Sequence, residues 1–259
     1  MILTLDIGNT TIGVCGVERT GQGDYQVRFS RKLPTLGDEA DYGPLLAGLL
    51  DLEGCPEIEG SVMSSVVPRL DGPVSQAAEG LLGRAPVKIQ PGRGLPFAIP
   101  HPELLGRDRI ADEVWAAKRY PLPVVTVDLG TATTFNVLNG EGVFLGGLIV
   151  SGLETGVKAL TDRTARLPSV TLSRPEHLIG RDTEECMRSG AVTGTAALID
   201  GITARIEAEL GPVTLVLTGG WADLVSPLCL HPHDSDPYLL PKGLALLYDR
   251  MGNVESGAR

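Results

Sequence analysis

Basic residues are scarce in this chain: 22 Lys and Arg stand against 32 Asp and Glu, a formal net charge of −10. That balance argues against a nucleic-acid-binding surface, which needs a cationic face to neutralise phosphates. Small anionic ligands stay possible, because backbone amides, bound cations and a few arginines act locally. Cysteine is sparse as well. Cys15, Cys55, Cys186 and Cys229 are scattered without a C-x-x-C pair, so they read as reduced thiols, not as a disulfide framework or a zinc site. His231, His233 and Asp234 suggest a metal site, but Pro232 and polar neighbours favour an exposed loop. Long apolar runs are missing: Val143 to Leu153 is too short to span a bilayer and contains Gly146, Gly147 and Gly152. Met1 leads directly into a strand-like run, without the basic segment of a secretory signal. A cytoplasmic protein with no membrane or nucleic-acid partner is expected. Its 259 residues suffice for one large domain or two of ordinary size.

What the chain does have is one device written twice. Asp6-Ile7-Gly8-Asn9-Thr10-Thr11 follows the apolar run Ile2 to Leu5, and Asp128-Leu129-Gly130-Thr131-Ala132-Thr133 follows Val124 to Val127. Strand, acid, glycine, hydroxyl and returning strand together make a tight hairpin suited to holding phosphate. Gly8 and Gly130 allow close backbone approach, and successive N–H groups in such a turn form an anion-binding concavity. The hydroxyls of Thr10 and Thr131 can add hydrogen bonds. Asp6 and Asp128 make sense beside a phosphate only if a cation lies between, as hard cations with oxygen ligands do. D-x-G is also ordinary turn chemistry. Its recurrence after two buried-type strands favours the phosphate reading.

Residues 2–17 read as a hairpin, followed by a strand near Tyr25–Phe29 and a helix over Leu45–Leu52. A strand over Glu59–Val67 stops at Pro68, and residues 73–83 form an amphipathic helix. Val87–Ile89 is a short strand, and a Pro- and Gly-rich loop runs from Pro91 to Pro102. From Arg109 to Tyr120 a helix aligns Ile110, Val114 and Ala117. The second half restarts with strands at 124–128, 133–138 and 143–149. Helices at 155–163, 183–189 and 191–210, a strand at 213–217 and a last helix at 243–251 follow. Hairpins followed by helices, twice over, indicate two α/β domains of similar plan, 1–118 and 119–259.

Leu215-Val216-Leu217-Thr218-Gly219-Gly220 is a buried-type strand running into a glycine pair, where backbone can lie flat against a nucleoside. Third after two phosphate hairpins, it resembles the adenosine region of the acetate kinase, sugar kinase, Hsp70 and actin superfamily. That resemblance implies two actin-like, ribonuclease H-like α/β domains with ATP in an interdomain cleft. Between the hairpins lies Gly106-Arg107-Asp108-Arg109. With it go Ser64-Ser65-Val66-Val67-Pro68, Phe144-Leu145-Gly146-Gly147-Leu148-Ile149, Ala165-Arg166-Leu167-Pro168, Ile179-Gly180-Arg181-Asp182-Thr183 and Ser189-Gly190. The ordered set, running to Leu244, resembles the type III pantothenate kinase family.

The resemblance implies ATP-dependent phosphorylation of pantothenate to 4′-phosphopantothenate, the first step of coenzyme A synthesis, by a homodimer. It implies Asp108 as proton acceptor. Gly106, Arg107, Asp108 and Arg109 would contact pantothenate, with Arg109 meeting its carboxylate, and Thr183 would help build that site at the dimer interface. Asp6, Ile7, Gly8, Asn9, Thr10, Thr11, Ile12 and Gly13 match the first ATP loop, and Thr131 matches an ATP contact. Asp128 matches the position that binds potassium or ammonium, and Asp6 would meet Mg²⁺ through water. The segment 143–153 and the helix from Ala191 offer dimer surfaces.

On spacing alone Asp108 reads equally as a helix N-cap, Arg109 as a solvated helix face, and Thr183 as an N-cap before Glu184 and Glu185. Three positions depart from the family's habit. Ile99 stands where a Tyr of the pantothenate pocket is usual, Ser151 where Pro is, and Asp112 where Asn is. Two other readings stay open: a non-catalytic accessory relative named for transcription, and a superfamily kinase or phosphatase acting on another small alcohol or on phosphate polymers.

Overall fold

The computed structural model of the protein describes residues 1–256 apart from Gln22, Asp38, Glu39, Cys55, Pro56 and Pro91. The reading of Cys55 as a thiol, and the start of the loop at Pro91, lie outside the described residues.

The first apolar run forms β1 (Ile2–Ile7), fully buried except at Asp6. With β2 (Thr11–Gly21), β3 (Asp24–Pro34), β4 (Gly60–Ser65) and β5 (Val87–Lys88) it makes a sheet of order β3-β2-β1-β4-β5. β2 runs antiparallel to β1 and sets Gly13 opposite Asp6, while β4 runs parallel on the other edge and sets Ser64 beside it. One face of the sheet buries Leu3, Leu5, Ile7, Val14 and Met63 against α1 (Tyr42–Leu52) and α2 (Asp71–Leu82). α1 starts where the Asp41 side chain accepts the Gly43 N–H at 3.0 Å, and α2 ends at Gly83 with φ 70°; both are ordinary capping devices. α3 (Arg107–Arg119) buries Ile110, Ala111, Val114 and Trp115, and also Asp112 and Glu113.

The second apolar run repeats the plan. β6 (Val124–Leu129), β7 (Ala132–Leu138), β8 (Phe144–Ser151), β9 (Thr214–Thr218) and β10 (Asp234–Ser235) form a sheet of order β10-β9-β6-β7-β8. β6 is antiparallel to β7 and parallel to β9, as β1 is to β2 and β4. In both central strands only the fifth residue, the acid, escapes full burial. Val127, Phe135 and Leu217 pack with Leu153 of α4 (Leu153–Arg163), with Val192, Ala196 and Ile199 of α5 (Thr183–Leu210), and with Ala222 of α6 (Ala222–Val225).

Two expectations change here. The helices expected on either side of Gly190 are one 28-residue helix, α5. A mid-helix glycine costs only about 1 kcal/mol. The extended segment before α5 clamps it beside that glycine, through Arg188 Nε to Thr171 O (3.2 Å) and Ser189 Oγ to Leu178 O (2.6 Å). The expected loop before α3 is partly strand-like: Phe144 N–H donates to Pro96 O and Ala98 N–H to Phe144 O, both at 2.9 Å.

The last helix, α7 (Leu239–Ser256), packs on β1, β2, β3 and β4. One compact unit therefore comprises Met1–Leu95, Pro100–Lys118 and the chain from Tyr238 onward; the other comprises Pro96–Ile99 and Arg119–Pro237. Sequence order alone puts both Pro96–Ile99 and α7 with the opposite sheet. Asp249 ties α7 down, accepting from Arg19 Nε (2.8 Å) and the Tyr25 hydroxyl (2.7 Å). Lys242 lies over the Trp115 ring at 5.7 Å. The crossing with α3 is close, since a Cβ on Gly243 would stand 1.9 Å from Ala111 O. Gly243→Ala is expected to lower the melting temperature by about 2–12 °C through overpacking. Gly48→Ala in α1, where a Cβ meets nothing within 4 Å, should hold or raise it. Thermal unfolding by circular dichroism compares them; equal melting temperatures would contradict the crossing.

Candidate functional site

β1 turns into β2 through Gly8-Asn9-Thr10. Gly8 N–H donates to Thr11 O (3.0 Å), Thr35 N–H to Thr10 O (3.1 Å) and the Thr35 hydroxyl to Gly8 O (2.8 Å). A Cβ on Gly8 would lie 3.0 Å from Thr11 O, so the turn is too tight for a side chain without adjustment. Asn9 and Thr10 are exposed, and Ile7 and Ile12 are buried in the core. Asp6 is half-buried, and Gly13 places no side chain over it.

The second loop is built more tightly. Gly130 N–H donates to Ala132 O (3.0 Å), Gly152 N–H to Thr131 O (3.1 Å) and Trp221 N–H to Leu129 O (3.1 Å). The Thr155 hydroxyl also donates to Thr131 O, at 2.7 Å. Thr131 itself is exposed. Gly219 has φ +93°, and a Cβ there would stand 2.3 Å from Asp128 Oδ1 and 2.5 Å from Leu129 N. The first glycine of the pair after β9 thus lies against the Asp128 carboxylate and the loop backbone.

Gly106 opens α3, its carbonyl accepting from Ile110 N–H at 3.2 Å. Asp108 therefore sits inside the first turn and is not the cap. Its carboxylate accepts from Arg109 N–H (2.8 Å) and folds back over Gly106, where a Cβ would be 2.4 Å from Oδ1. That contact accounts for glycine in the motif. Arg107 is an anchor: Nη1 donates to Ser65 O at 3.1 Å, at the end of β4. Ser65 pairs with Ile7 and Val66 N–H donates to Ile7 O (3.0 Å), so the start of α3 is tied to the strand that carries Asp6. Arg109 is half-buried, not a solvated face. Burial pulls its guanidinium pKa down, against the opposing pull of Asp108, Glu113 and Asp112.

In the second unit, Thr183 is the exposed first residue of α5, and Asp182 is its cap, accepting from Glu185 N–H at 2.8 Å. Glu185 returns a bond to Arg181 N–H, also 2.8 Å. This D-x-x-E capping box is plain in the sequence, and it leaves Thr183 out of capping. Thr183, Gly152, Val157 and Cys186 line a cavity of about 920 Å³ between α4 and α5. Ile99 lies beside β8, its Cγ2 3.7 Å from where a Cβ of Gly146 would be. The loop with His231 and His233 is less exposed than expected. His231 Nε2 lies 3.2 Å from Glu207 and its N–H donates to Asp200 at 3.0 Å. Among the described residues no cluster of His, Cys, Asp or Glu is placed to hold a metal ion by itself.

A family model for type III pantothenate kinase matches residues 2–205. The chain belongs to that family. A type III pantothenate kinase of Moorella thermoacetica is 37% identical over 255 residues, covering 96% of this chain and 99% of that one. One from Myxococcus xanthus is also 37% identical, covering 96% and 98%. Among solved structures, a Campylobacter jejuni protein assigned to the Baf family of transcriptional activators superposes with a TM-score of 0.60 at 19% identity, covering 97% of this chain and 99% of that one. A polyphosphate/ATP-glucomannokinase from Arthrobacter superposes at 0.50 with 15% identity, covering 97% and 98%. These two likenesses concern the fold: two α/β domains of the actin-like and sugar-kinase type. No helix among the described residues is long and apolar enough to cross a membrane.

Gly219→Ala should force Asp128 and Leu129 apart. The expected result is loss of ATP-dependent thermal stabilisation in a protein that still folds; undiminished stabilisation would contradict the packing of Asp128 on Gly219.

Proposed function

We propose that this chain transfers the γ-phosphoryl group of ATP to the primary hydroxyl of pantothenate, giving 4′-phosphopantothenate at the entry to coenzyme A synthesis. Family membership supports the reaction, and the Asp108 carboxylate held over Gly106 carries the assignment of the base. Phosphoryl transfer passes through a loose transition state, so positioning and charge neutralisation outweigh strong base catalysis. Asp108 lies in the first turn of α3. It orients the pantothenate hydroxyl and accepts its proton as the new P–O bond forms. Arg109 meets the pantothenate carboxylate in a charge-assisted hydrogen bond, with Gly106 and Arg107 completing that contact. Arg107 acts chiefly by fixing the start of α3.

Gly8 to Thr11 and Gly130-Thr131 present backbone and hydroxyl groups to the ATP phosphates. A single carboxylate suits Mg²⁺, which keeps several waters and binds through one or two carboxylates plus substrate phosphates; Asp6, half-buried at the end of β1, would supply it. When bound, Mg²⁺ supplies charge neutralisation on the phosphates. Asp128, with the backbone of Gly219 and Leu129 packed close by, would hold a potassium or ammonium ion through its carboxylate. A second copy of the chain would cover the exposed Leu148, Ile149, Leu178 and Ile179 and bring Thr183 to the substrate. The free thiols of Cys15, Cys186 and Cys229 suit the cytoplasm. Intact Asp6, Asp108, Arg109, Asp128 and Thr183 argue against a non-catalytic role.

The test is product formation from ATP, Mg²⁺ and pantothenate in potassium against sodium buffer. Turnover that needs potassium is expected, and its absence from a folded, ATP-binding protein would overturn the proposal. Asp108→Asn should abolish turnover while ATP still binds. Gly106→Ala, which displaces the carboxylate by about an ångström, should cut kcat by about 100-fold at an unchanged melting temperature.

A further inference from the structure

β4 buries three serines, and their hydroxyls have different fates. Ser65 is committed: its hydroxyl accepts from Val67 N–H at 3.1 Å, and its carbonyl from Arg107 Nη1 at 3.1 Å. Ser61 and Ser64 are 1% and 0% exposed, and neither hydroxyl has a hydrogen-bond partner among the described residues. A buried hydroxyl left unpaired costs stability, so each calls for a reason. Ser61 pairs in register with Leu3, on the sheet face that packs α1 and α2. Ser64 pairs in register with Asp6.

Side chains alternate between the two faces of a strand, so registered neighbours on parallel strands share a face. The Ser64 hydroxyl and the Asp6 carboxylate therefore lie on the same side of the sheet, opposite the core of Leu3, Leu5, Ile7 and Met63. The end of β4 is pinned there, through Ser65 and through Val66 N–H to Ile7 O at 3.0 Å. The second unit repeats the arrangement, with Thr218 of β9 in register beside Asp128 of β6. We infer that Ser64 is a positioning residue for Asp6, an inference that rests on the kinase reading above. Its hydroxyl donates to the Asp6 carboxylate as that group takes up hydrated Mg²⁺ with ATP, fixing one oxygen and leaving the other to the cation's water. Carboxylates at metal sites depend on such outer partners, and losing one costs about 10- to 100-fold in metal affinity.

Two measurements test this: the melting temperature without ligands, and binding of Mn²⁺ with the ATP analogue adenylyl imidodiphosphate. Mn²⁺ stands in for Mg²⁺ and is followed by electron paramagnetic resonance. Ser64→Ala should weaken Mn²⁺ binding by about 10- to 100-fold. With the unpaired hydroxyl gone, it should also raise the melting temperature by about 2–4 °C. Ser61→Ala, the same change beside Leu3, should raise the melting temperature likewise and leave Mn²⁺ affinity unchanged. A serine with a merely structural role gives a lower melting temperature on substitution and an unaltered Mn²⁺ affinity. Either of those results for Ser64→Ala, or an equal loss of affinity in both variants, would overturn the assignment while the kinase reading stands. Failure of the wild-type protein to bind Mn²⁺ with the nucleotide would sink both.

Discussion

A central strand held on both edges and buried on both faces has no freedom left, and each unit is built outward from one. β1 is bonded antiparallel to β2 and parallel to β4, and β6 repeats this with β7 and β9. The acid one residue from the strand's end is therefore placed by the sheet, not by its own loop. Rigid placement is what phosphoryl transfer asks of a protein, because a near-attack geometry removes most of the entropic barrier before chemistry begins. Gly152 and Gly219 follow from the same constraint: each lies where a carboxylate or a loop carbonyl crosses at short range.

Much of this was legible in advance. Both hairpins could be read because buried-type apolar runs ending in acid and glycine are local signals, and the two sheets confirm the repeat. Long-range packing was less legible. Nothing near Gly243 says that its neighbour is Ala111, 132 residues earlier. Gly190 looked like a break because helix propensity is a weak prior, and tertiary clamps at Arg188 and Ser189 override it. Asp108 could not be separated from a cap by spacing; only the bond from Ile110 to Gly106 O does that.

The charge balance reads differently once the folds are known. An acidic surface does not hinder anion binding when the groups meeting phosphate are backbone amides, which carry no formal charge and are held in place by the sheet. Cationic side chains near α3 have neighbours of their own. Arg107 is bonded to Ser65 O, and Arg109 feels three carboxylates on its own helix. Asp112, where the family commonly has a neutral Asn, makes that surrounding more negative than usual.

The path of the chain bears on its biogenesis. The first sheet is translated early, yet α7, which packs on four of its strands, is made only after the whole second unit. On the ribosome, β1 to β5 must wait with one face uncovered while residues 119–237 emerge and fold as an insertion. Vectorial synthesis thus leaves the half that carries Asp108 the last to be completed, and makes that uncovered sheet face a natural client for chaperones.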